Sequence, residues 1–195
     1  MDDRRFWTDH LTRFNDIRAV TFGSKSVSEN EAMFRVAAEQ FRSYVNEDLP
    51  TASDRGSVLE IGYGLGHFTR VQKELGFREC LGLDFAAPPG PPLGRGYSYR
   101  QQDVGSPFDL RCRYDLVTAI DVLFHITDDA RFAVALDNIR RHAGRFVYVT
   151  GRMEDRRFPH APQVVCRSLD RFRSLGTLVR HAAWRNNSIA CFKVA

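Results

Sequence analysis

The sequence predicts an α/β fold: a doubly wound, mostly parallel sheet of seven strands, with a C-terminal antiparallel hairpin and an N-terminal helical cap. Short apolar segments alternate with amphipathic helical segments, a pattern typical of a parallel sheet with helices on both faces. The last two apolar segments flank Asn186 and Asn187, a pair that favours a turn. A length of 195 residues with 43% hydrophobic composition fits one domain, divided into a cap or lid (1–54) and a core (55–195).

The N-terminal part is predicted to contain a short helix near residues 4–15 and a longer helix from Glu29 to Glu47. Ser28 and Glu31 have the spacing of a capping box for the second helix. Four aromatic side chains are candidates for a lid over a ligand, and simple packing on the sheet explains them equally well. They are Phe6, Trp7, Phe14 and Phe22.

The core contains the predicted strands and the helices between them. Strands are expected at 58–61, 80–84, 97–101, 114–120 and 145–150, followed by hairpin strands within 177–185 and 188–195. Helices are expected at 66–75, at 128–142 with Thr127 as N-cap, and at 168–175. The segment PPGPP (88–92) excludes a helix between the second and third strands, because proline lacks the amide donor. We expect a loop there, and interpret it as a local deletion in preference to a rigid wall beside a ligand.

Composition limits the class of protein. An excess of 28 Lys and Arg over 24 Asp and Glu gives a net charge of only +4, and the arginines are scattered, which favours a solvated surface over a nucleic-acid partner. The four cysteines lie far apart, without the spacing of a zinc site or a disulfide framework. No apolar stretch is long enough for a membrane span or a signal peptide. We therefore expect a cytoplasmic protein with no membrane association.

Ligands of doubly wound sheets bind beyond the carboxyl ends of the strands, where this sequence carries acids and glycines. The residues at these ends are Glu60, Gly62, Gly64, Gly66, Asp84, Asp103 and Asp121. A glycine turn alone is weak evidence, because dinucleotide sites also begin with one. A nicotinamide-type fingerprint requires glycine or alanine three residues after Gly64, and His67 occupies that position.

Four segments in order resemble those of the class I, Rossmann-like S-adenosylmethionine-dependent methyltransferases. VLEIGYGLGHFTR (58–70) resembles the family's glycine motif, GLDF (82–85) its ribose-binding segment, QQDV (101–104) its adenine-binding segment, and AIDVLFHI (119–126) the segment bordering the methionine moiety and the substrate. FVYVTGR (146–152) matches the fifth strand. The resemblance covers about residues 55–195, and the ordered set is more specific than the glycine loop alone.

The resemblance implies that S-adenosyl-L-methionine is the cofactor. A carboxylate at Asp84 suits two ribose hydroxyls, and one at Asp103 suits the adenine amino group, because both ligand groups are donors. Bare backbone at Gly62 and Gly64 permits close approach of the amino-acid end, and Glu60 either orients the loop or meets the ammonium group. The implied cofactor-binding residues are Glu60, Gly62, Tyr63, Gly64, Gly66, Asp84, Phe85, Asp103, Val104, Ile120 and Asp121.

The methyl acceptor is expected to be the oxygen or nitrogen of a small molecule. Enzymes that methylate nucleobase amines carry Asn or Asp, then Pro-Pro and an aromatic residue after the fourth strand, where this sequence reads IDVLFHI. An RNA or protein methyltransferase and a non-catalytic cofactor-binding module remain as alternatives. The sequence does not determine the oligomeric state.

Two histidines are candidate general bases, because imidazole can take a proton near neutral pH. His125 follows the fourth strand, and a packing or capping role is an equally open interpretation; His160 follows the fifth strand. No metal requirement is expected, since neither histidine stands in a ligand cluster. Asp121, Asp128 and Asp129 are the only acids suspected of holding a divalent ion, and their expected roles are instead the pocket edge and the first turn of a helix.

Overall fold

The fold is described from a computed structural model of the chain, which describes residues 3–14, 16–20, 23–86 and 94–195. The strands are β1 (Ser57–Ile61), β2 (Glu79–Asp84), β3 (Tyr97–Gln101), β4 (Tyr114–Ala119), β5 (Ala143–Gly151), β6 (Arg156–Phe158), β7 (Ala161–Cys166), β8 (Thr177–Trp184) and β9 (Asn187–Lys193). The helices are α1 (Asp3–Arg13), α2 (Val27–Asp48), α3 (His67–Glu74) and α4 (Asp129–His142). Short 3₁₀ segments cover Ile17–Val20, Ala52–Asp54, Leu123–His125 and Leu169–Leu175.

Seven strands form one sheet in the order β3-β2-β1-β4-β5-β9-β8. The strands β1 to β5 pair in parallel, whereas β9 pairs antiparallel with both β5 and β8. The chain order reverses between β1 and β4, which is the place where doubly wound sheets bind ligands. The predicted fold class, with its mostly parallel seven-stranded sheet and C-terminal hairpin, is confirmed.

Helices cover both faces of the sheet. Successive residues of each buried strand point to opposite sides, so the apolar side chains of one strand pack against helices on both faces. Val58 packs in a cluster with Phe41 of α2 and Val71 of α3. Its neighbour Leu59 packs in a second cluster with Phe132 of α4. The α2 helix is part of the predicted cap, yet Phe41 is fully buried against the sheet. Burial of one such side chain contributes about 1.5–3 kcal/mol.

Two predicted helix starts are wrong by one or two residues. The capping box of α2 uses Ser26 and Glu29: the Glu29 amide donates to Ser26 Oγ over 3.3 Å, and Glu29 Oε2 accepts from the Ser26 amide over 2.8 Å. Ser28 lies inside the helix. Both serines have a glutamate three residues later, so the spacing alone does not distinguish them. In α4 the N-cap is Asp128, whose Oδ1 accepts from the Arg131 amide over 2.8 Å.

The region after β5 differs most from the sequence prediction. Strands β6 and β7 pair as a separate two-stranded sheet that the sequence analysis missed. The three residues of β6, Arg156–Phe158, carry no alternating apolar pattern to predict a strand. The helix predicted at 168–175 is a 3₁₀ helix, which buries Phe172 and Leu175.

The proline-rich segment falls largely outside the described residues, which end at Ala86 and resume at Gly94. The loop predicted between β2 and β3 therefore lies largely outside the described residues. Among the helices that the structure describes, none has the length and apolar character needed to cross a membrane.

Candidate functional site at the carboxyl edge of the sheet

The turn after β1 is built on three glycines with left-handed backbone. Gly62, Gly64 and Gly66 have φ values of 73°, 50° and 73°. The Gly62 amide donates to the Leu83 carbonyl over 2.6 Å, which ties the turn to β2, and the Gly66 amide donates to the Tyr63 carbonyl over 2.7 Å. Left-handed backbone is strained for residues with a Cβ atom, so the three glycines allow this turn.

Close packing is a second reason for these glycines. A Cβ atom on Gly62 would lie 2.3 Å from Val122 Cγ2, and one on Gly64 would lie 2.6 Å from Val20 Cγ1. Val122 follows β4 and Val20 ends the first 3₁₀ segment, so two parts of the chain that are far from the turn in sequence pack against it. The sequence analysis predicted that the bare backbone serves ligand approach, and it missed both valines.

Asp84, at the end of β2, faces the glycine turn. Its Oδ2 accepts from the Gly64 amide over 3.1 Å and its Oδ1 accepts from the Ala86 amide over 3.1 Å. Burial raises the pKa of Asp84, and the backbone amides of Ala86, Gly64 and Phe85 oppose that rise. A carboxylate has about four acceptor positions, so two amide bonds leave capacity for hydroxyl donors.

Glu60 lies behind the turn, in the last part of β1. It is only 4% exposed and accepts a hydrogen bond from the Thr69 hydroxyl of α3. Burial raises the pKa of Glu60 to about 8, and the negative charge of Asp84 adds to the rise. Burial therefore favours the protonated form of Glu60 in the folded protein. This contact ties β1 to α3 and supports a loop-orienting role.

The stability of the protein is expected to decrease as pH rises, because of the titration of Glu60. Between about pH 5 and pH 8 the folded chain keeps a proton that the unfolded chain has released, so the free energy of unfolding decreases as pH rises, by up to about 1.4 kcal/mol per pH unit. Glu60→Gln removes the titrating group and should flatten this slope. Urea unfolding of both proteins at several pH values measures it. An equally steep slope in the variant would assign the effect to another group.

Asp103, after β3, is held by partners within the chain. Arg131 Nη2 of α4 donates to Asp103 Oδ1 over 3.1 Å and to Oδ2 over 3.0 Å. The Gly105 amide donates to Oδ1 over 2.9 Å. The ion pair fixes the carboxylate at the end of the strand, and Arg131 is a residue that the sequence analysis missed. Any ligand amino group at Asp103 would share the carboxylate with Arg131.

Asp121, after β4, has left-handed backbone with φ of 57°. Its amide donates to Thr150 Oγ1 over 2.7 Å, and the Thr150 hydroxyl in turn donates to Asp121 Oδ1 over 2.8 Å. Arg185, in the turn between β8 and β9, forms an ion pair with Asp121 Oδ2. The turn was predicted at Asn186 and Asn187, but Asn187 begins β9 and pairs with Trp184, so the turn consists of Arg185 and Asn186. Nothing in the sequence indicates that this turn contacts the end of β4.

The other predicted cofactor residues are mostly buried. The Tyr63 ring packs against that of Tyr99 with ring centroids 4.4 Å apart and a tilt of 30°, and the Tyr63 hydroxyl donates to the Ala86 carbonyl over 3.3 Å. Val104 and Ile120 are 8% and 9% exposed and belong to the hydrophobic clusters on opposite faces of the sheet. Phe85 is partly exposed beside Asp84.

The two candidate bases lie in different surroundings. His125 ends the 3₁₀ segment after β4, with its ring 4.3 Å from that of Trp7. Its Nδ1 lies 3.2 Å from the Gln163 carbonyl of β7, and a carbonyl only accepts, so Nδ1 is the donor in this contact. His160 is exposed in the turn between β6 and β7. The structure thus brings His125, but not His160, against other residues of the predicted site.

The N-terminal segment approaches the same edge. Trp7 of α1 contacts His125, and Val20 contacts the glycine turn at Gly64. Phe6 packs edge-on against Trp7 with ring centroids 5.3 Å apart. Phe22 lies outside the described residues. These contacts fit a cap that excludes water from the edge of the sheet.

Within the described part of the chain, no three His, Cys, Asp or Glu side chains converge to hold a metal ion. The acids considered from the sequence have other partners. Asp121 pairs with Arg185, Asp128 caps α4, and Asp129 Oδ1 accepts from Arg167 Nη2 over 2.9 Å. Independence from metal stays a prediction.

Comparison with known proteins identifies the family. A family model described as a methyltransferase domain matches residues 31–186, and no curated protein sequence matches the chain. The fold is similar to magnesium protoporphyrin IX methyltransferase from Synechocystis PCC 6803 with bound S-adenosylmethionine, at 17% identity, with a TM-score of 0.70 over 100% of this chain and 98% of that one.

Two further solved structures have the same architecture. The N-methyltransferase NodS from Bradyrhizobium japonicum WM9, in complex with S-adenosylhomocysteine, is 15% identical, with a TM-score of 0.71 over 100% of this chain and 99% of that one. The 1,6-didemethyltoxoflavin-N1-methyltransferase from Burkholderia thailandensis is 17% identical, with a TM-score of 0.67 over 97% of this chain and 87% of that one. At these identities the likeness establishes the fold, whereas the family match covers most of the chain. The chain therefore belongs to the methyltransferase-domain family, and its resemblance to S-adenosylmethionine-dependent methyltransferases is confirmed.

Proposed function

We propose that this methyltransferase uses S-adenosylmethionine, bound at the carboxyl edge of the sheet, to methylate the oxygen or nitrogen of a small molecule. The observation that carries the cofactor site is the contact between Asp84 and the glycine turn, where the Gly64 amide donates to Asp84 Oδ2 over 3.1 Å. This bond joins the ends of β1 and β2. It presents one carboxylate and one tight turn side by side, next to the switch point between β1 and β4.

The residues present fit this cofactor chemically. Asp84 would accept from the ribose hydroxyls and Asp103 from the adenine amino group, since both carboxylates are oriented by backbone amides. The turn from Gly62 to Gly66 would receive the amino-acid end. Glu60 would orient that turn through Thr69. The remaining predicted positions are Tyr63, Phe85, Val104, Ile120 and Asp121.

The chain's own residues mainly orient the acceptor and exclude water. The bound cofactor supplies a methyl group on a sulfonium, which is already a good leaving group. Trp7 and Val20 cover the edge of the sheet, and Arg185 fixes the carboxylate of Asp121. Such positioning accelerates a transfer between two bound groups.

A hydroxyl or protonated amine acceptor also has to lose a proton. His125 is the first candidate to take it, because it follows β4 and its ring is held in place by the contact of Nδ1 with the Gln163 carbonyl. His160 is the second candidate. It lies on the hairpin that also carries Gln163.

The composition of the chain and its structural neighbours both support the proposal that the methyl acceptor is a small molecule. A net charge of +4 without a clustered basic run gives little support to a nucleic-acid substrate. Two of the structural neighbours are named for a porphyrin and for 1,6-didemethyltoxoflavin, which are small molecules. RNA or protein methylation is the second candidate activity.

Transfer of a labelled methyl group from the cofactor tests this function. The purified protein is incubated with small hydroxyl and amine compounds, with RNA and with protein, at low and high salt. We expect label in a small molecule, with little dependence on salt. Label in RNA with a steep loss at high salt would favour the alternative, because phosphate contacts are salt-dependent. Cofactor binding without any transfer would indicate a binding module.

A further inference from the structure

A cavity of ≈ 260 Å³ lies between the β6–β7 hairpin, the first residue of α4 and the 3₁₀ segment Leu169–Leu175. The methyltransfer site described above does not use it. Six charged side chains line it: Arg156, Arg157, Arg167, Arg171, Asp129 and Asp155. Four guanidinium groups therefore face two carboxylates, a formal excess of positive charge.

Both carboxylates have partners in the wall of the cavity. Asp129 Oδ1 accepts from Arg167 Nε over 3.0 Å and from Arg167 Nη2 over 2.9 Å. Asp155 Oδ1 accepts from the Ser168 amide over 2.9 Å. Arg167 is only 4% exposed, and its guanidinium lies 4.0 Å from the centroid of the Phe132 ring. Arg167 is thus a fixed, buried part of the wall.

Arg157 and Arg171 are held much less firmly. The Arg171 side chain is 51% exposed, and its ion pair with Asp129 spans 4.0 Å. Arg157 is exposed, and it forms no ion pair with any residue that the structure describes. The hydrogen bonds and positive charge of Arg167 lower the pKa of Asp129, and the charges of Arg171 and Arg157 add to this lowering. Two guanidinium groups thus remain available to a ligand.

The cavity shares two wall residues with a cleft at the carboxyl edge of the sheet. Val165 and Arg167 line both the cavity and a narrow cleft that also includes Thr150. The Thr150 hydroxyl donates to Asp121 over 2.8 Å. The cavity and this cleft therefore share a wall formed by Val165 and Arg167, and the cleft extends to Thr150 beside the segment expected to border the acceptor.

We propose that this cavity binds an oxyanion group, a carboxylate or a phosphate, of the methyl acceptor. The planar guanidinium donates two parallel hydrogen bonds to either group. This inference rests on the proposed function and extends it: the acceptor is a small anionic molecule, held by Arg157 and Arg171 while its nucleophilic atom lies near Asp121.

Binding of simple anions tests the site without requiring methyl transfer. Inorganic phosphate and acetate are titrated into the protein by calorimetry, at an ionic strength held constant with chloride. Arg157→Gln and Arg171→Gln should each weaken binding by about tenfold or more, as expected for a charged hydrogen bond. Arg173→Gln is the matched control: its side chain is 80% exposed on the same 3₁₀ segment, it pairs with Asp170 and it does not line the cavity.

The outcomes separate the two proposals. The anion that binds more tightly identifies the group, and wild-type affinity in both cavity variants would overturn the anion site while leaving methyl transfer untouched. All three variants should bind S-adenosylhomocysteine with the same affinity as the wild type. If the wild type does not bind S-adenosylhomocysteine, that result would contradict the cofactor site and not the anion site. In the transfer assay, acids or phosphate esters should be methylated at least tenfold faster than their neutral amide or alcohol counterparts. Equal rates would overturn the assignment of the anion to the acceptor.

Discussion

Replacing His125 by Ala should lower the turnover rate about 10²- to 10⁴-fold while leaving cofactor affinity nearly unchanged, the usual contribution of a general base. The structure places Nδ1 of His125 3.2 Å from the Gln163 carbonyl, so the ring is oriented by β7. An imidazole ring held in this way can take a proton from an acceptor at the sheet edge. Single-turnover kinetics with labelled cofactor measure the rate, and calorimetry measures the affinity.

A second variant separates proton transfer from packing, because His125 also contacts the Trp7 ring at 4.3 Å. His125→Asn keeps a side-chain donor for Gln163 but has no basic nitrogen. If His125 is the base, the Asn variant is as slow as the Ala variant and both lose the decline of rate at acidic pH. Full turnover with an unaltered pH profile in the Asn variant would make His125 structural, and His160→Ala would then be the next variant to measure.

Gly62→Ala should destabilise the protein by about 2–5 kcal/mol, since left-handed backbone costs alanine about 1–2 kcal/mol and an overpacked site typically about 1–3 kcal/mol. The new Cβ atom would lie 2.3 Å from Val122 Cγ2, at a φ of 73°. Val122 is branched at Cβ and has few alternative rotamers. Chemical denaturation measures the loss of stability.

Gly76→Ala is the matched control for the backbone term. Gly76 has a φ of 86°, and a Cβ atom there would meet nothing within 4 Å. We expect only the loss of about 1–2 kcal/mol from left-handed backbone in this variant. Val122→Ala in the Gly62→Ala background should restore part of the difference. Equal losses at Gly62 and Gly76 would contradict close packing of Val122 on the turn.

The fold could be predicted from local patterns, because each buried strand is a short apolar run and the turns contain residues that are typical of turns. Val58–Ile61 and the glycines after it are examples, and the alternation of strands with helices determines the parallel order. The hairpin β6–β7 could not be predicted in this way. Its strand β6 reads RRF, and it forms only by pairing with β7.

The residues of the candidate site also fall into a group that the sequence could predict and a group that it could not. Asp84, Asp103 and Asp121 were found because each lies at or just after the carboxyl end of a predicted strand. Their partners were missed, because Arg131 and Arg185 lie 28 and 64 residues away from Asp103 and Asp121 in the sequence and are brought close by tertiary structure alone. The same reason applies to Val20, which lies on the glycine turn but belongs to the N-terminal segment.

The proposed cofactor site depends above all on Asp84, whose carboxylate is fixed by the amides of Gly64 and Ala86. Calorimetric titration of S-adenosylmethionine and S-adenosylhomocysteine into the wild type and into Asp84→Ala tests this claim most directly. Asp137→Ala is the control, because Asp137 is 43% exposed and pairs with Arg140 and Arg141 on the surface of α4. We expect both ligands to bind the wild type and the control alike, and Asp84→Ala to weaken binding by about 1.5–3 kcal/mol. Undiminished affinity in Asp84→Ala, or tight binding of NADH with none of the sulfonium cofactor, would contradict the account.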